Sequence, residues 1–89
     1  MPTILNINGF RFIIWPADHE PPHVHVFKND GEAKVSIGED TQAPQLIWIC
    51  GLAKQEARFI WEAVAEHQSE LLNAWENIHG NLNYQTRIR

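Results

Sequence analysis

Ile4-Leu5-Asn6-Ile7-Asn8-Gly9-Phe10-Arg11-Phe12-Ile13-Ile14-Trp15 is the stretch that decides the fold class. Two runs of β-favouring residues flank Asn8-Gly9, the pair that supplies the positive φ angles of a two-residue type I′ turn, so the segment reads as a β-hairpin. Pro16 ends its second strand. Ala17 to Pro22 then form a loop stiffened by Pro21-Pro22, which cannot donate backbone hydrogen bonds. His23 to Lys28 alternates as a third strand, Asn29-Asp30-Gly31 makes a turn, and Glu32 to Ile37 makes a fourth strand. Gly38 to Pro44 is polar loop, and Gln45 to Cys50 is an apolar run that reads as a fifth strand or as an extended lead into a helix.

Beyond Gly51 the period changes. Ala53, Ala57, Ile60, Val64, His67, Leu71, Trp75 and Ile78 recur at three- and four-residue spacing, which predicts one long amphipathic helix over 51–80, ending at Gly80. Asn81 to Arg89 lacks periodicity and reads as a mobile tail or a partner-docking strand. The expectation is therefore a single α+β domain over residues 1–89, in which a small antiparallel sheet of four to five strands (1–50, two hairpins) packs against one C-terminal helix. About 27 helical residues make a rod of roughly 40 Å, against about 17–20 Å for such strands. Part of the helix overhangs, and Trp61, Leu72 and Trp75 widen its apolar face. This predicts a homo-oligomer or a complex with a partner chain.

Composition narrows the function classes. The chain has 89 residues and a single cysteine, Cys50, so no intrachain disulfide can form, and no signal-like start is evident; the expected compartment is the cytoplasm. No apolar run approaches the roughly 18 residues a membrane span requires. A net charge of −4 disfavours bulk binding to nucleic acid through counterion release. Acidic residues concentrate on the helix (Glu56, Glu62, Glu66, Glu70, Glu76), however, while Arg11, Lys28 and Lys34 fall in the sheet and are candidates to hold a phosphate.

Asp18-His19-Glu20-Pro21-Pro22-His23-Val24-His25-Val26 places three of the five histidines within the span 18–26. Alternate strand residues share a face, so His23 and His25 point one way with backbones about 6.6 Å apart, and Val24 and Val26 the other. A His-x-His pair can converge on one divalent metal such as zinc. The same pair, with one imidazole neutral and one protonated, can carry general acid-base chemistry on a phosphodiester. Asp18 and Glu20 are candidates to orient the imidazoles. His67, on the helix stripe, would join as a third ligand or proton partner if the helix crosses that face, and His19 is a further candidate. Against both chemistries stands a structural reading, in which the imidazoles pack against the helix or a partner, His19 caps a turn and His67 is a buried core histidine. Cys50 lacks a motif partner and reads as a small buried residue rather than a nucleophile, and His79 beside Gly80 reads as part of the helix end.

Pro2-Thr3-Ile4, Gly9, Phe10 to Ile14 and above all Asp18-His19-Glu20-Pro21-Pro22-His23-Val24-His25-Val26 resemble a family of short bacterial proteins of unknown function that carry Asp-His-x-Pro-Pro-His-x-His-Val. His67-Gln68-Ser69-Glu70-Leu71 and Trp75 resemble that family's His-x-x-Glu-Leu and later tryptophan, so the resemblance spans most of residues 2 to 78. It implies the toxin-like member of a type II toxin–antitoxin pair, with a cognate small protein encoded by a neighbouring gene as partner. It implies no reaction. Joined to the residue-level reading, it suggests a ribonuclease-like activity centred on His23 and His25. A non-catalytic antitoxin or regulatory protein-binding module, and a small metal-binding protein, are the alternatives.

Overall fold

The computed structural model describes residues 3–39 and 41–88, with side chains described as far as His79. Five strands, β1 (Thr3–Ile7), β2 (Phe10–Ile13), β3 (His23–Lys28), β4 (Gly31–Ser36) and β5 (Gln45–Cys50), form one antiparallel sheet in the order β1-β2-β3-β4-β5. The architecture is thus α+β as expected, but the two hairpins are parts of one continuous meander, because β2 also pairs with β3 and β4 with β5. The Gln45–Cys50 run is a true strand, and Cys50 at its end is exposed rather than buried, because β5 is an edge strand. Asn8 and Gly9 have φ of 52° and 84°, the positive angles that the β1–β2 turn demands. Gly38 is needed for a second reason: its φ is +79°, and a Cβ there would sit 2.6 Å from the Gln42 carbonyl oxygen.

The helical part departs from the expected single rod. Helix α1 spans Lys54–Glu66 and α2 spans Gln68–Ile88, with His67 between them at φ −104°, ψ 22°. Helix α1 starts three residues after Gly51, and Glu56 accepts a hydrogen bond from the Ala53 backbone N–H at 2.7 Å, the half of a capping box that an alanine N-cap allows. At the break, the Gln68 side-chain amide donates to the carbonyls of Ile37 and Gln42, both at 2.9 Å. The first residue of α2 is thereby tied to the loop that follows β4. Helix α2 then runs through Gly80 rather than ending there; a docking role for 81–89 concerns side chains outside the described residues. No described helix is long and apolar enough to cross a membrane.

One face of the sheet carries the core. Phe10, Phe12, Ile14, Val24, Val26, Ala33, Val35 and Ile37 pack against Ile60, Ala63 and Val64 of α1 and Leu71 and Trp75 of α2. The period-two alternation of β3 produces this directly: Val24 and Val26 are fully buried, and the intervening histidines take the opposite face. Trp75, on the predicted stripe and also counted among the residues that widen it toward a partner, is buried in the chain's own core at 1% exposure. Leu72 is half-buried against the same cluster. The apolar surface left open lies elsewhere, at Leu46, Ile47 and Trp48 of the edge strand β5 and at Trp61 of α1.

Candidate functional site

Trp15-Pro16-Ala17-Asp18 forms the first wall of the site. Proline suits the second position of a β-turn, and the Asp18 N–H donates to the Trp15 carbonyl at 3.0 Å while the Trp15 N–H donates to Asp18 Oδ2 at 3.1 Å. These reciprocal bonds fix the carboxylate. The loop returns through a cis Glu20–Pro21 bond into β3, and the Ile37 N–H holds its end by donating to the Pro22 carbonyl at 3.0 Å.

On the face opposite the core, His23 and His25 stand side by side, ring centroids 5.2 Å apart. The Nε2 atoms of both rings face the same carboxylate oxygen, Asp18 Oδ2, at 3.4 Å for His23 and 3.6 Å for His25. The far nitrogens meet other groups. His23 Nδ1 lies 2.9 Å from the Pro21 carbonyl oxygen, which can only accept, so Nδ1 carries the proton. His25 Nδ1 is buried without a hydrogen-bond partner among the described residues, with Glu32 Oε2 3.7 Å away. Asp18 therefore stands beside the imidazoles directly instead of orienting them from behind; the Pro21 carbonyl orients His23, and Glu32 is the carboxylate beside His25 Nδ1 without a hydrogen bond to it.

The antiparallel register sets Lys34 of β4 opposite His25, and Trp48 of β5 opposite Lys34. A register shift between Lys34 and Val35 leaves Ile47 as an extra residue on β5. Lys34 and Ile47 line, with Asp18, His19, His23 and His25, an open cavity of about 310 Å³. Of the three cations proposed from the sequence, only Lys34 reaches it. The Arg11 guanidinium lies 5.8 Å from the Phe27 ring centroid, while the Lys28 ammonium sits 4.5 Å from the Phe10 centroid and 3.7 Å from Glu56. His19 lines the rim without entering the cluster.

His67 is not brought to the sheet histidines. It caps α1, and its Nδ1 lies 3.1 Å from Glu70, one turn further on. Glu20 is likewise not an orienting group for an imidazole, because its Oε2 accepts the Trp75 indole N–H at 3.1 Å and so pins the loop to α2. Trp75, read from the sequence only as an apolar-face aromatic, also borders the site: its ring lies 5.3 Å from that of His23 and 3.9 Å from that of His79. His79 donates to the Trp75 carbonyl at 3.1 Å from within α2, not from a helix end. No local signal marks Trp75 as a neighbour of His23. Glu32 was accessible through the β3–β4 register, which sets it one same-face position from Lys34.

Together these features define a small α+β domain with a two-histidine, one-carboxylate pocket on the open face of a five-stranded meander. Residues 9–76 match the family described as a domain of unknown function (DUF4160), and the chain belongs to it. No curated protein and no solved structure matches the chain.

Proposed function

We propose that the chain is the toxin-like member of a bacterial type II toxin–antitoxin pair and acts on RNA at the Asp18–His23–His25 pocket. The observation that carries this reading is the convergence of two imidazoles and a carboxylate on one open cavity that Lys34 also lines. Such a cluster supplies what activates a nucleophile for attack on a phosphodiester, and an ammonium alongside it meets the charge that develops on the phosphorus oxygens. Expression of the chain alone in a bacterial host is expected to arrest growth and degrade total RNA, with both effects lost in a His23→Ala/His25→Ala double variant at equal soluble level. Normal growth with an intact RNA pool would remove the ribonuclease reading.

The cognate partner of this reading is the small protein encoded next door. Edge strand β5 offers it unpaired backbone and the exposed side chains of Leu46, Ile47 and Trp48, with Trp61 nearby on α1. Ile47 belongs to both the apolar strip and the wall of the cavity, so a partner docked on this strip would abut the pocket. The same strip favours the second reading, a non-catalytic antitoxin or regulatory binding module. Trp48→Lys is expected to abolish co-purification with the neighbour-encoded protein, and His25→Ala to preserve it. The reverse pattern would place the interface on the histidine face.

A further inference from the structure

The donor geometry of the cluster suits a shared cation. The Pro21 carbonyl requires the His23 proton on Nδ1, so in the neutral ring Nε2 presents a lone pair toward Asp18 Oδ2 at 3.4 Å. His25 Nε2 approaches that oxygen from the other side at 3.6 Å. Its Nδ1 is buried beside the Glu32 carboxylate, the acceptor that an Nδ1–H would use. With His25 likewise carrying its proton on Nδ1, three donor atoms within 4.8 Å of one another would each offer an electron pair to a cation placed among them.

The spacing also has the size of a metal site. Donors about 2.0–2.1 Å from a tetrahedral zinc lie about 3.3–3.4 Å from each other. The two nitrogen-to-oxygen separations are 3.4 and 3.6 Å, and all three donor atoms fall within 4.8 Å of one another. Metal-binding histidines characteristically turn their other ring nitrogen to a backbone carbonyl or a carboxylate; the Pro21 carbonyl meets His23 Nδ1 in this way at 2.9 Å, and the Glu32 carboxylate stands beside His25 Nδ1 at 3.7 Å. We propose that Asp18, His23 and His25 are the three protein ligands of a divalent transition cation of the zinc class, with Glu32 as the positioning residue for His25. Two nitrogens and one oxygen suit zinc, cobalt(II) or iron(II), whereas calcium and magnesium select oxygen-rich shells. The cluster borders the cavity that Lys34 and Ile47 line, so the fourth position is open to water or to an anionic substrate. In such a centre the cation, not a free imidazole, activates the nucleophile.

The centre stands on geometry and holds whether or not the chain cuts RNA. The test uses the full chain, stripped with a chelator and dialysed, titrated calorimetrically with zinc and followed by visible absorption with cobalt(II). Expected are one zinc per chain at micromolar affinity or tighter, and cobalt d–d bands of a low-coordinate nitrogen and oxygen site. Asp18→Asn and His25→Ala are expected to abolish both signals. Glu32→Gln should weaken zinc binding by about tenfold or more while keeping one-to-one stoichiometry. Circular dichroism of each variant separates ligand loss from unfolding. A folded parent that takes up neither metal overturns the proposal, as does zinc binding unchanged in a folded Asp18→Asn variant, which would leave only a loose histidine pair. Metal binding without RNA cleavage would retain the centre and remove the ribonuclease reading. Cleavage by stripped protein that takes up no metal would do the opposite.

Discussion

Trp75→Ala is expected to cost about 3–5 kcal/mol, the range for truncating a large buried aromatic. A domain of 89 residues has of order 4–13 kcal/mol in total, so the variant should be largely unfolded at temperatures the parent tolerates. The indole is 1% exposed and sits where the core meets the site: its ring lies against His23, and its N–H holds Glu20 and with it the loop that carries Asp18. Trp75→Phe separates these roles. It keeps an aromatic ring but removes the hydrogen bond and part of the buried indole volume, for an expected loss of about 1–3 kcal/mol, and it should loosen the 15–22 loop more than the core. Urea unfolding followed by far-ultraviolet circular dichroism gives both values. A Trp75→Ala midpoint equal to the parent's would mean that Trp75 is dispensable to the core.

The contrast between Asp18 and Trp75 shows what the chain discloses by itself. Asp18 lies in the same short segment as His23 and His25, and a turn closed by reciprocal bonds to Trp15 brings it over the strand. Its part in the site was legible from proximity in sequence, though its orientation toward Nε2 was not. Lys34 was legible in the same way, because a hairpin fixes register locally. Trp75 reaches Glu20 across 55 residues, and Gln68 reaches Ile37 and Gln42 across 31 and 26. These long-range contacts are made by the tertiary fold, so periodicity alone yielded one helix where the protein has two. Half of the predicted apolar stripe is buried: Ile60, Val64, Leu71 and Trp75 lie in the core, whereas Ala53 is exposed, Ala57 and Ile78 are half-buried, and the buried Ala63 was not part of the stripe. His67 broke the pattern because a helix junction places its side chain beside Glu70 rather than over the sheet.

Neighbouring positions on β3 should give opposite outcomes, and that contrast tests the face assignment on which the site depends. Val26 is fully buried, paired across the sheet with Phe12 and Ala33. Val26→Asp would place a carboxylate among apolar side chains with no cation to meet it, at an expected cost of about 3–5 kcal/mol or more, enough to abolish cooperative unfolding. His25→Ala, one residue away, removes a ring from the opposite face, together with a buried nitrogen that has no hydrogen-bond partner among the described residues. Its expected cost is about 1 kcal/mol or less, corresponding to a fall in Tm of no more than about 8 °C. Thermal unfolding of the two metal-free variants beside the parent decides the matter. If His25→Ala unfolds and Val26→Asp survives, the faces of β3 are exchanged, the histidines belong to the core, and neither the proposed RNA-cleaving pocket nor the proposed metal centre can stand. If the expected order holds, His25 is held at this position at little benefit to stability, and its placement beside Asp18 is explained by what the pair binds.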